Sequence, residues 1–303
     1  MGVDIRQLDA LLAIAEHKTF SKAARSLHTV QSNVSKHIAR LESELGTRLV
    51  DRDAAMLTEE GEAVVARARR IRAETNAIAL DMAAMRDNIS GLTRIGIIDS
   101  TAQWLIPKVL PAVEAQYSKV RLEVLTATTT SILPLVVSGD LHAAVVNLPI
   151  NDPDIRSQEL FAEDRLLIAP LDHPLAAKST VTPEELARHE LLLPPKGTAF
   201  RDEIDSEFKH QGVTLTTRVE IDGMRMIATL VQTGFGAAIL PATAVLDDDN
   251  PLSRVPISGL LQRSVGMIFS RQVAPSAVTR AVHEVIADVV TTHGSDQPGV
   301  YPS

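Results

Sequence analysis

The sequence contains no cysteine, which excludes disulfides, thiol catalysis and cysteine-ligated zinc and fits a reducing compartment. Aromatic residues make up only 3% of the chain, so its cores must be built from Leu, Ile, Val and Ala. No apolar run approaches the roughly 20 residues that a membrane helix needs. The N-terminus also lacks the basic flank and long apolar segment of a signal peptide. The sequence therefore predicts a cytoplasmic protein without a membrane partner.

Acidic residues prevail in the chain as a whole but not at its beginning. The formal net charge is −8, which by itself argues against nucleic-acid binding. However, the first 57 residues carry eight Lys or Arg against seven Asp or Glu, whereas the rest carry 22 against 31. Between Lys18 and Arg52, seven basic residues stand against three acidic ones. This segment is either the footprint of a DNA-binding surface or a mixed solvated surface, and charge alone does not decide between them.

Three short amphipathic helices are predicted before residue 47. Residues 4–16 place apolar side chains at helical spacing. Ser21 is expected to cap a short helix over Lys22–Leu27, and a tight connection follows it. A third helix has a continuous apolar face and ends at Gly46. Three such helices, with a brief turn between the second and the third, predict a helix-turn-helix.

A long helix is predicted after Thr58, which is expected to be its N-cap, with three glutamates in the first turn. Its apolar positions alternate in steps of four and three, as in a coiled coil. These apolar side chains form a seam that must pack against either another element of the chain or a second copy of it, and the pattern favours a dimer. The seam consists of Val64, Ala68, Ile71, Thr75, Ile78, Met82, Met85 and Ile89.

Beyond Ser90–Gly91, short β-branched runs alternate with helical patterns, which predicts an α/β domain with helices on both faces of a mostly parallel sheet. The polar, turn-rich tail from Thr291 is expected to be disordered. The predicted strands are Arg94–Ile98, Val120–Thr126, Ala143–Asn147, Leu166–Pro170, Arg218–Ile221, Ala237–Leu240 and Val265–Ser270. The predicted helices are Ala102–Tyr117, Ile132–Ser138, Phe200–Gln211, Met224–Thr233 and Ser276–Val290.

Several ordered motifs carry a resemblance to a known family. The N-terminal third contains IRQLDALLAIAE, TFSKAARSLH, QSNVSKHIARLESELG and LTEEGEAVVARARRI, and the second part contains LIPKVLPAVEAQYSKVRLEVL, SGDLHAAVV, HPLA and VQTGFGAAILP. With these motifs, the chain resembles the LysR-type transcriptional regulators over about residues 4–290.

The resemblance implies a multi-domain fold class: an N-terminal all-α winged helix-turn-helix, a long linker helix, and an α/β effector domain whose two subdomains are similar to a type 2 periplasmic binding protein. We expect the DNA-binding domain over residues 1–57, the linker and dimerisation helix over 58–90, and the effector domain over 91–290. Within the effector domain, subdomain one would take residues 92–163 plus 265–290 and subdomain two residues 164–264, with residues 291–303 as the tail.

The function that the resemblance implies is sequence-specific DNA binding, with promoter binding or activation modulated by a small molecule held between the two subdomains. The expected partners are a double-stranded DNA operator, an effector (a carboxylate or other small anion is one candidate) and a second copy of the chain, as a homodimer or homotetramer. RNA polymerase is a further expected partner if the protein activates transcription. No cofactor and no enzymatic activity are expected.

A recognition helix needs hydrogen-bond donors and acceptors near its N-terminal end, because that end enters the major groove. In the family's motif a Gln, a Ser and the following basic residue touch DNA, and these match Gln31, Ser35 and Lys36. Ser21, Lys22 and Arg25 are expected at phosphates. The alternative is an ordinary polar helix face. The complete expected set is Ser21, Lys22, Arg25, Gln31, Ser32, Asn33, Ser35, Lys36, Arg40 and Arg52.

The expected wing departs from the family's pattern. Family wings carry several Lys or Arg between the positions that match Arg52 and Leu57, whereas this chain has only the uncharged or acidic stretch Asp-Ala-Ala-Met there. We expect little phosphate binding from the wing beyond Arg52, and a shallower salt dependence than a basic wing would give.

Hydroxyl-bearing residues follow several predicted strands or open predicted helices, where small polar ligands bind in clefts between α/β subdomains. The alternative for each is an ordinary helix cap. Arg201 is expected to neutralise a carboxylate. The candidate effector residues are Ser100, Thr101, Thr129, Thr130, Asn147, Thr198, Arg201 and Met224.

Other function classes fit the sequence less well. His142, His173 and His283 have no partners at metal-ligand spacing, so no metal is expected. The motifs G-x-S-x-G, H-E-x-x-H and the P-loop are absent, which argues against the corresponding enzymes. A solute-binding protein would have a signal peptide and no helix-turn-helix. A regulator whose second half only forms oligomers stays open.

Overall fold

The N-terminal segment folds as the predicted helix-turn-helix. The computed structural model describes residues 2–51, 56–85, 89–245 and 251–303. Leu11, Val34 and Ile38 are fully buried and form the centre of this first core. Its elements are α1 (Ile5–His17), α2 (Phe20–Ser26), α3 (Gln31–Leu45) and a short antiparallel pair, β1 (Val50–Asp51) and β2 (Met56–Leu57).

The predicted cap of the second helix is wrong. Thr19, not Ser21, is the N-cap of α2, and its hydroxyl accepts a hydrogen bond from the backbone N–H of Lys22 at 3.2 Å. The helix begins earlier than expected because Phe20 is half-buried against the first core. Ser21 therefore lies within the first turn, with its side chain exposed.

A single long helix, α4 (Glu59–Ala84), leads from this domain to the next, and Thr58 is its N-cap as predicted. Val65 and Ala68 are buried in the first core, whereas Ala77 is buried near the other end. The predicted seam is thus divided: Ala68 belongs to the chain's own core and Ile89 is half-buried, whereas the seam positions from Ile71 to Met85 are exposed. Exposed on α4 or at its end are Ile71 (45%), Ile78 (64%), Met82 (52%) and Met85 (79%).

The first α/β subdomain is built on a six-stranded sheet with the order β13-β6-β12-β5-β3-β4. Its strands are β3 (Gly91–Ile98), β4 (Val120–Ala127), β5 (Ala143–Leu148), β6 (Ile155–Glu163), β12 (Arg263–Ser270) and β13 (Val300–Pro302). Its helices are α5 (Asp99–Gln116), α6 (Thr129–Ser138) and α10 (Ala277–His293).

The second α/β subdomain is built on a five-stranded sheet with the order β11-β7-β10-β8-β9. Its strands are β7 (Arg165–Ala169), β8 (Glu190–Leu193), β9 (Thr216–Glu220), β10 (Ala237–Pro241) and β11 (Ser253–Pro256). Its helices are α7 (Pro183–Leu186), α8 (Ala199–His210) and α9 (Met224–Gln232), and a 3₁₀ turn covers Ala242–Ala244. Across the described ranges, no helix is both long enough and apolar enough to cross a membrane.

Both sheets are mixed, so the prediction of a mostly parallel sheet is wrong. Strands β3, β4 and β5 run parallel, as do β8, β9 and β10, but β6, β7, β11, β12 and β13 pair antiparallel with their neighbours. Parallel neighbours need a crossover connection such as a helix. Such helices connect β3 to β4 and β4 to β5, whereas β6 and β7 belong to different sheets and are joined through Asp164 alone, where the chain crosses between the subdomains.

The C-terminal tail is ordered, which corrects the prediction of disorder from residue 291. Helix α10 continues to His293, and β13 then adds an edge strand to β6, pairing Val300 with Glu163. The Tyr301 hydroxyl donates to Asp164 Oδ2 at 2.9 Å. A polar, turn-rich segment is held here because edge pairing uses backbone groups, which composition does not reveal.

Candidate functional site

The N-terminal edge of α3 is an exposed polar surface. Val34, Ile38 and Leu41 are fully buried and fix the inward face of the helix. Val30, the N-cap, offers no side-chain hydrogen bond to the first turn, so this end of the helix is open. Exposed at this end or farther along the same helix are Gln31, Ser32, Asn33, Lys36 and Arg40, whereas Ser35 is half-buried.

Two hydrogen bonds orient the polar side chains at this edge. The Ser21 hydroxyl donates to Gln31 Oε1 at 2.9 Å, which turns the Gln31 amide nitrogen away from α2. Asn33 Nδ2 donates to the Thr29 hydroxyl at 3.0 Å. A Gln whose donor is exposed at the start of a helix has the geometry to reach a base edge in the major groove.

Positive charge surrounds the same edge. Lys22, Arg25 and Lys36 are exposed, and within the described ranges none of them forms an ion pair. Arg40 differs, because its Nε lies 3.3 Å from Glu44 Oε1 in an ion pair along the helix. Of the predicted contacts, Arg52 lies outside the described residues. The arrangement suits phosphate contacts beside α3.

The C-terminal edge of the first sheet faces the second subdomain. Strand β6 ends at Glu163 on this edge, because it is antiparallel to β12, which is antiparallel to β5. The ends of β3, β4 and β5 therefore lie on the side where the chain crosses over. Opposite them lie the starts of α8 and α9, which follow β8 and β9. Ligands bind at such edges in α/β proteins.

A buried ion pair joins β6 and β12, the two strands at which the chain passes between the subdomains. Arg263 Nη2 lies 2.6 Å from Glu163 Oε1, and its Nε donates to the same oxygen at 2.7 Å. The pair also contacts both subdomains: Arg263 Nη2 donates to the Ser100 hydroxyl at 2.8 Å, and the Thr243 backbone N–H donates to Glu163 Oε2 at 2.9 Å. Because breaking the pair would leave an uncompensated charge in a low-dielectric interior, the two side chains resist separation.

Unsatisfied polar atoms lie at the same edge. The hydroxyl of the fully buried Thr101 and the amide oxygen of Asn147 have no hydrogen-bond partner among the described residues. The Asn147 backbone N–H donates to the Thr129 hydroxyl at 3.4 Å, and the Thr128 and Thr130 hydroxyls lie 3.4 Å apart. Buried polar atoms without a partner are costly, so this edge is suited to a polar ligand.

The predicted residues of the second subdomain have other contacts. The Thr198 hydroxyl donates a hydrogen bond to the backbone carbonyl of Pro195 at 2.8 Å. Arg201 is buried, and its guanidinium donates to Asp205, Pro194, Glu220 and Thr217. The expectation that Arg201 is available to a ligand carboxylate is therefore corrected, because acidic partners already neutralise it. Met224 begins α9 and is half-buried.

Sequence reasoning missed Glu163, Arg263 and Thr243. No local pattern marks them, since the two members of the ion pair are 100 positions apart in the chain. The one signal in the sequence is that Glu163 and Arg263 lie at or close to the expected boundaries between the two subdomains. No group of three or more side chains that could hold a metal ion occurs among residues 2–51, 56–85, 89–245 and 251–303.

Comparisons with known proteins agree with this architecture. The family of bacterial regulatory helix-turn-helix proteins of the LysR type matches residues 5–62, and the LysR substrate binding domain matches residues 86–291. A probable hydrogen peroxide-inducible genes activator from Streptomyces viridosporus is 29% identical over 97% of this chain and 95% of its own length. The DNA-binding transcriptional dual regulator OxyR of Escherichia coli is 27% identical, with 95% of each chain covered.

Solved structures share the fold over nearly the whole length. A full-length OxyR variant from Pseudomonas aeruginosa, with a cysteine replaced by aspartate, superposes with a TM-score of 0.77 at 24% identity, covering 96% of this chain and 95% of that one. Full-length CbnR in complex with its target DNA superposes with a TM-score of 0.66 at 22% identity, covering 95% and 99%. With both domains matched in this order, the chain belongs to the LysR family of DNA-binding transcriptional regulators rather than to an enzyme family.

Proposed function

We propose that the chain reads its operator through the N-terminal edge of α3 and that a small uncharged polar effector, bound without covalent chemistry between the two subdomains, controls this reading. The protein would act in the cytoplasm, and as an activator it would also contact RNA polymerase. The observation that carries the DNA-binding part is Gln31, which is oriented by Ser21 and flanked by Lys22 and Lys36, two cations without an ion pair in the described part of the chain.

The DNA-binding residues are tested with an operator selected from random duplexes by the purified full-length chain. Gln31→Ala should lower affinity and relax selectivity at one position, by about 1–3 kcal/mol for a lost bidentate contact. Lys36→Ala should weaken binding to all sequences and reduce the slope of log K against log salt by about 0.9. Gln116→Ala and Lys196→Ala, two exposed positions far along the chain, are matched controls. Unchanged binding by both test variants would refute the assignment.

The relatives' names suggest peroxide as a signal, but this chain cannot respond to peroxide through a thiol. Two of the solved relatives are OxyR proteins studied as cysteine variants. Here no cysteine exists among the 303 residues. A reversibly bound ligand is therefore the better-supported signal, because Thr101 and Asn147 leave buried polar atoms unpaired at the cleft.

The charge of the effector follows from the arginines beside the cleft. Arg263 is neutralised by Glu163 and Arg201 by Asp205 and Glu220. A carboxylate effector would have to compete with these acidic side chains, so an uncharged molecule with hydrogen-bonding groups fits better. Calorimetric screening of neutral and anionic metabolites should give binding that Thr101→Val weakens. Tight binding of anions alone would overturn this assignment.

The exposed seam on α4 supports self-association. Ile71, Ile78 and Met82 lie on one uncovered stripe, and fully burying such a side chain stabilises a complex by about 1.5–3 kcal/mol. We propose that a second copy covers this stripe. Light scattering should show a dimer or a larger assembly for the natural chain and dissociation for Ile78→Asp, whereas Ala63→Asp, exposed earlier on the same helix, should leave the assembly intact.

A further inference from the structure

A cavity lies between α4 and the body of the first subdomain. Its volume is about 390 Å³, within the range of roughly 300 to 1,000 Å³ that is typical of ligand pockets. Leu92 and Arg94, near the beginning of β3, line it together with Gly139 after α6 and Ser276 before α10. It therefore sits at the N-terminal edge of the first sheet, opposite the edge that faces the second subdomain.

One polar side chain in this cavity has an unused hydrogen-bond donor. His142 Nδ1 accepts a hydrogen bond from the backbone N–H of Arg94 at 3.2 Å and lies 3.2 Å from the Thr93 hydroxyl. A backbone N–H can only donate, so Nδ1 carries no hydrogen and the neutral ring holds its proton on Nε2. Nε2 has no partner among the described residues and is not fully buried.

The rest of the lining is almost free of net charge. Among the residues that the structure describes, Arg94 is the one charged side chain of the lining, and its Nε lies 2.7 Å from Glu123 Oε2, so the charge is already paired. Apolar walls come from both sides of the cavity, with Ala73 and Leu80 on α4 facing Leu141 on the body. An ion would lose hydration here without gaining an opposite charge, whereas an apolar molecule would keep its contacts.

We propose that this junction pocket is a ligand site for a compact, uncharged molecule with an apolar ring and one hydrogen-bond acceptor, of the class of aryl ketones, amides or lactones. The acceptor binds the Nε2–H of His142, and the ring packs between Ala73 and Leu141. The site is separate from the cleft between the subdomains and does not depend on what the cleft binds.

An occupant of the junction pocket touches both sides of a contact that links the two halves of the chain. The Ala274 backbone N–H donates to Glu74 Oε1 at 3.0 Å, and the Ala277 backbone N–H donates to Asp81 Oδ1 at 2.8 Å. These bonds fasten α4 to the segment before α10 beside the pocket. A bound ligand therefore stabilises the attachment of the helix that carries the DNA-binding domain, and it should slow hydrogen exchange at these two amides.

The test uses three probes of nearly equal shape on the full-length chain: acetophenone, benzoate and toluene. Ligand-observed NMR and calorimetry should show that acetophenone binds more tightly than both, because benzoate is charged and toluene has no acceptor. In His142→Asn the side-chain oxygen can still accept from Arg94 N–H, but no donor reaches the position of Nε2. This variant should lose about tenfold in acetophenone affinity, which corresponds to one hydrogen bond.

Three further variants make the result decisive. Ala73→Leu fills the pocket and should abolish binding. It tests the site independently of His142→Asn, and a melting curve of each variant shows whether the variant is folded. His173→Asn and Thr101→Val, in the second subdomain and at the cleft, should bind acetophenone as the natural chain does. The proposal is overturned if no probe binds, if benzoate binds as tightly as acetophenone, or if Thr101→Val alone removes binding.

Discussion

Glu163 and Arg263 form a buried ion pair at the point where both crossing strands pass between the sheets, with Nη2 and Oε1 2.6 Å apart. Each partner also holds a group from a different subdomain, Thr243 in one case and Ser100 in the other. The pair thus sets the relative position of the two subdomains as well as the stability of the crossing.

Removing one partner of this pair should strongly destabilise the effector domain. Glu163→Gln leaves the Arg263 charge buried without compensation, and breaking a buried pair in this way costs about 3–5 kcal/mol. The measurement is the free energy of unfolding from urea titration. The double variant Glu163→Gln, Arg263→Met should recover much of the loss. A single variant as stable as the natural chain would show that the pair is not needed to hold the crossing.

The ordered tail should contribute to stability through Gln297. Its Nε2 donates to the carbonyls of Ala242 at 3.1 Å and Val245 at 3.0 Å, both in the second subdomain. Gln297→Ala should lower the free energy of unfolding by about 1–3 kcal/mol, because buried carbonyls lose their donor. Gln116→Ala, on an exposed part of α5, should change it by less than about 0.5 kcal/mol. Equal effects of the two variants would contradict the role of the tail.

Acidification should destabilise the protein through its histidines. Burial, followed by the neighbouring Arg94, lowers the pKa of His142 below its ordinary value of 6.5, and burial likewise lowers the pKa of His173 and His283. The unfolded chain therefore binds protons more readily than the folded one, and stability falls as the pH drops below about 6.5.

Urea unfolding at pH 7.5 and 5.5 measures this dependence. His142→Asn should weaken the pH dependence of stability, because one of the three histidines with a lowered pKa is gone. Gln116→Ala, at an exposed position without a titratable side chain, should leave it unaltered. Stability that rises on acidification over this range would contradict the assignment of the shifted histidines.

Gly61 in α4 should not tolerate a side chain. A Cβ at this position would lie 2.0 Å from the carbonyl oxygen of Leu49, which already accepts from the Thr58 backbone N–H. Gly61→Ala should therefore lower the melting temperature of the DNA-binding domain, although alanine favours a helix by about 1 kcal/mol over glycine. Ala63→Gly, two residues along and exposed, measures the helix propensity alone. A higher melting temperature for Gly61→Ala would rule out the close approach.

The elements with strong local patterns were predictable. The three N-terminal helices and strands such as β4 and β5 have clear apolar spacing, and the motifs indicate their order. Strand β6 was missed because Ile155–Glu163 is mostly polar and exposed in its middle, so no alternation marks it. The short strands β8, β11 and β13 are four residues or fewer, which is too short for a periodic signal.

The candidate sites were predictable to different degrees. The edge of α3 is a local feature of one helix, so the sequence identifies its exposed side chains. The environment of Arg201 depends on Asp205, Glu220 and Thr217, of which only the first is a helical neighbour. The junction pocket combines His142 with α4 and the residues before α10, three distant segments that only the folded chain brings together.

Helix α4 is long enough for a small rotation at one end to displace its other end by several ångströms. Its 26 residues form a rod of about 39 Å, anchored at one end in the core of the DNA-binding unit and at the other by Asp81. A tilt of only about 5° at the Asp81 end would displace the far end by about 3 Å over such a length. In the dimer that we propose, a small rearrangement beside α10 would therefore be amplified into a shift that changes whether two copies of α3 fit successive turns of one duplex.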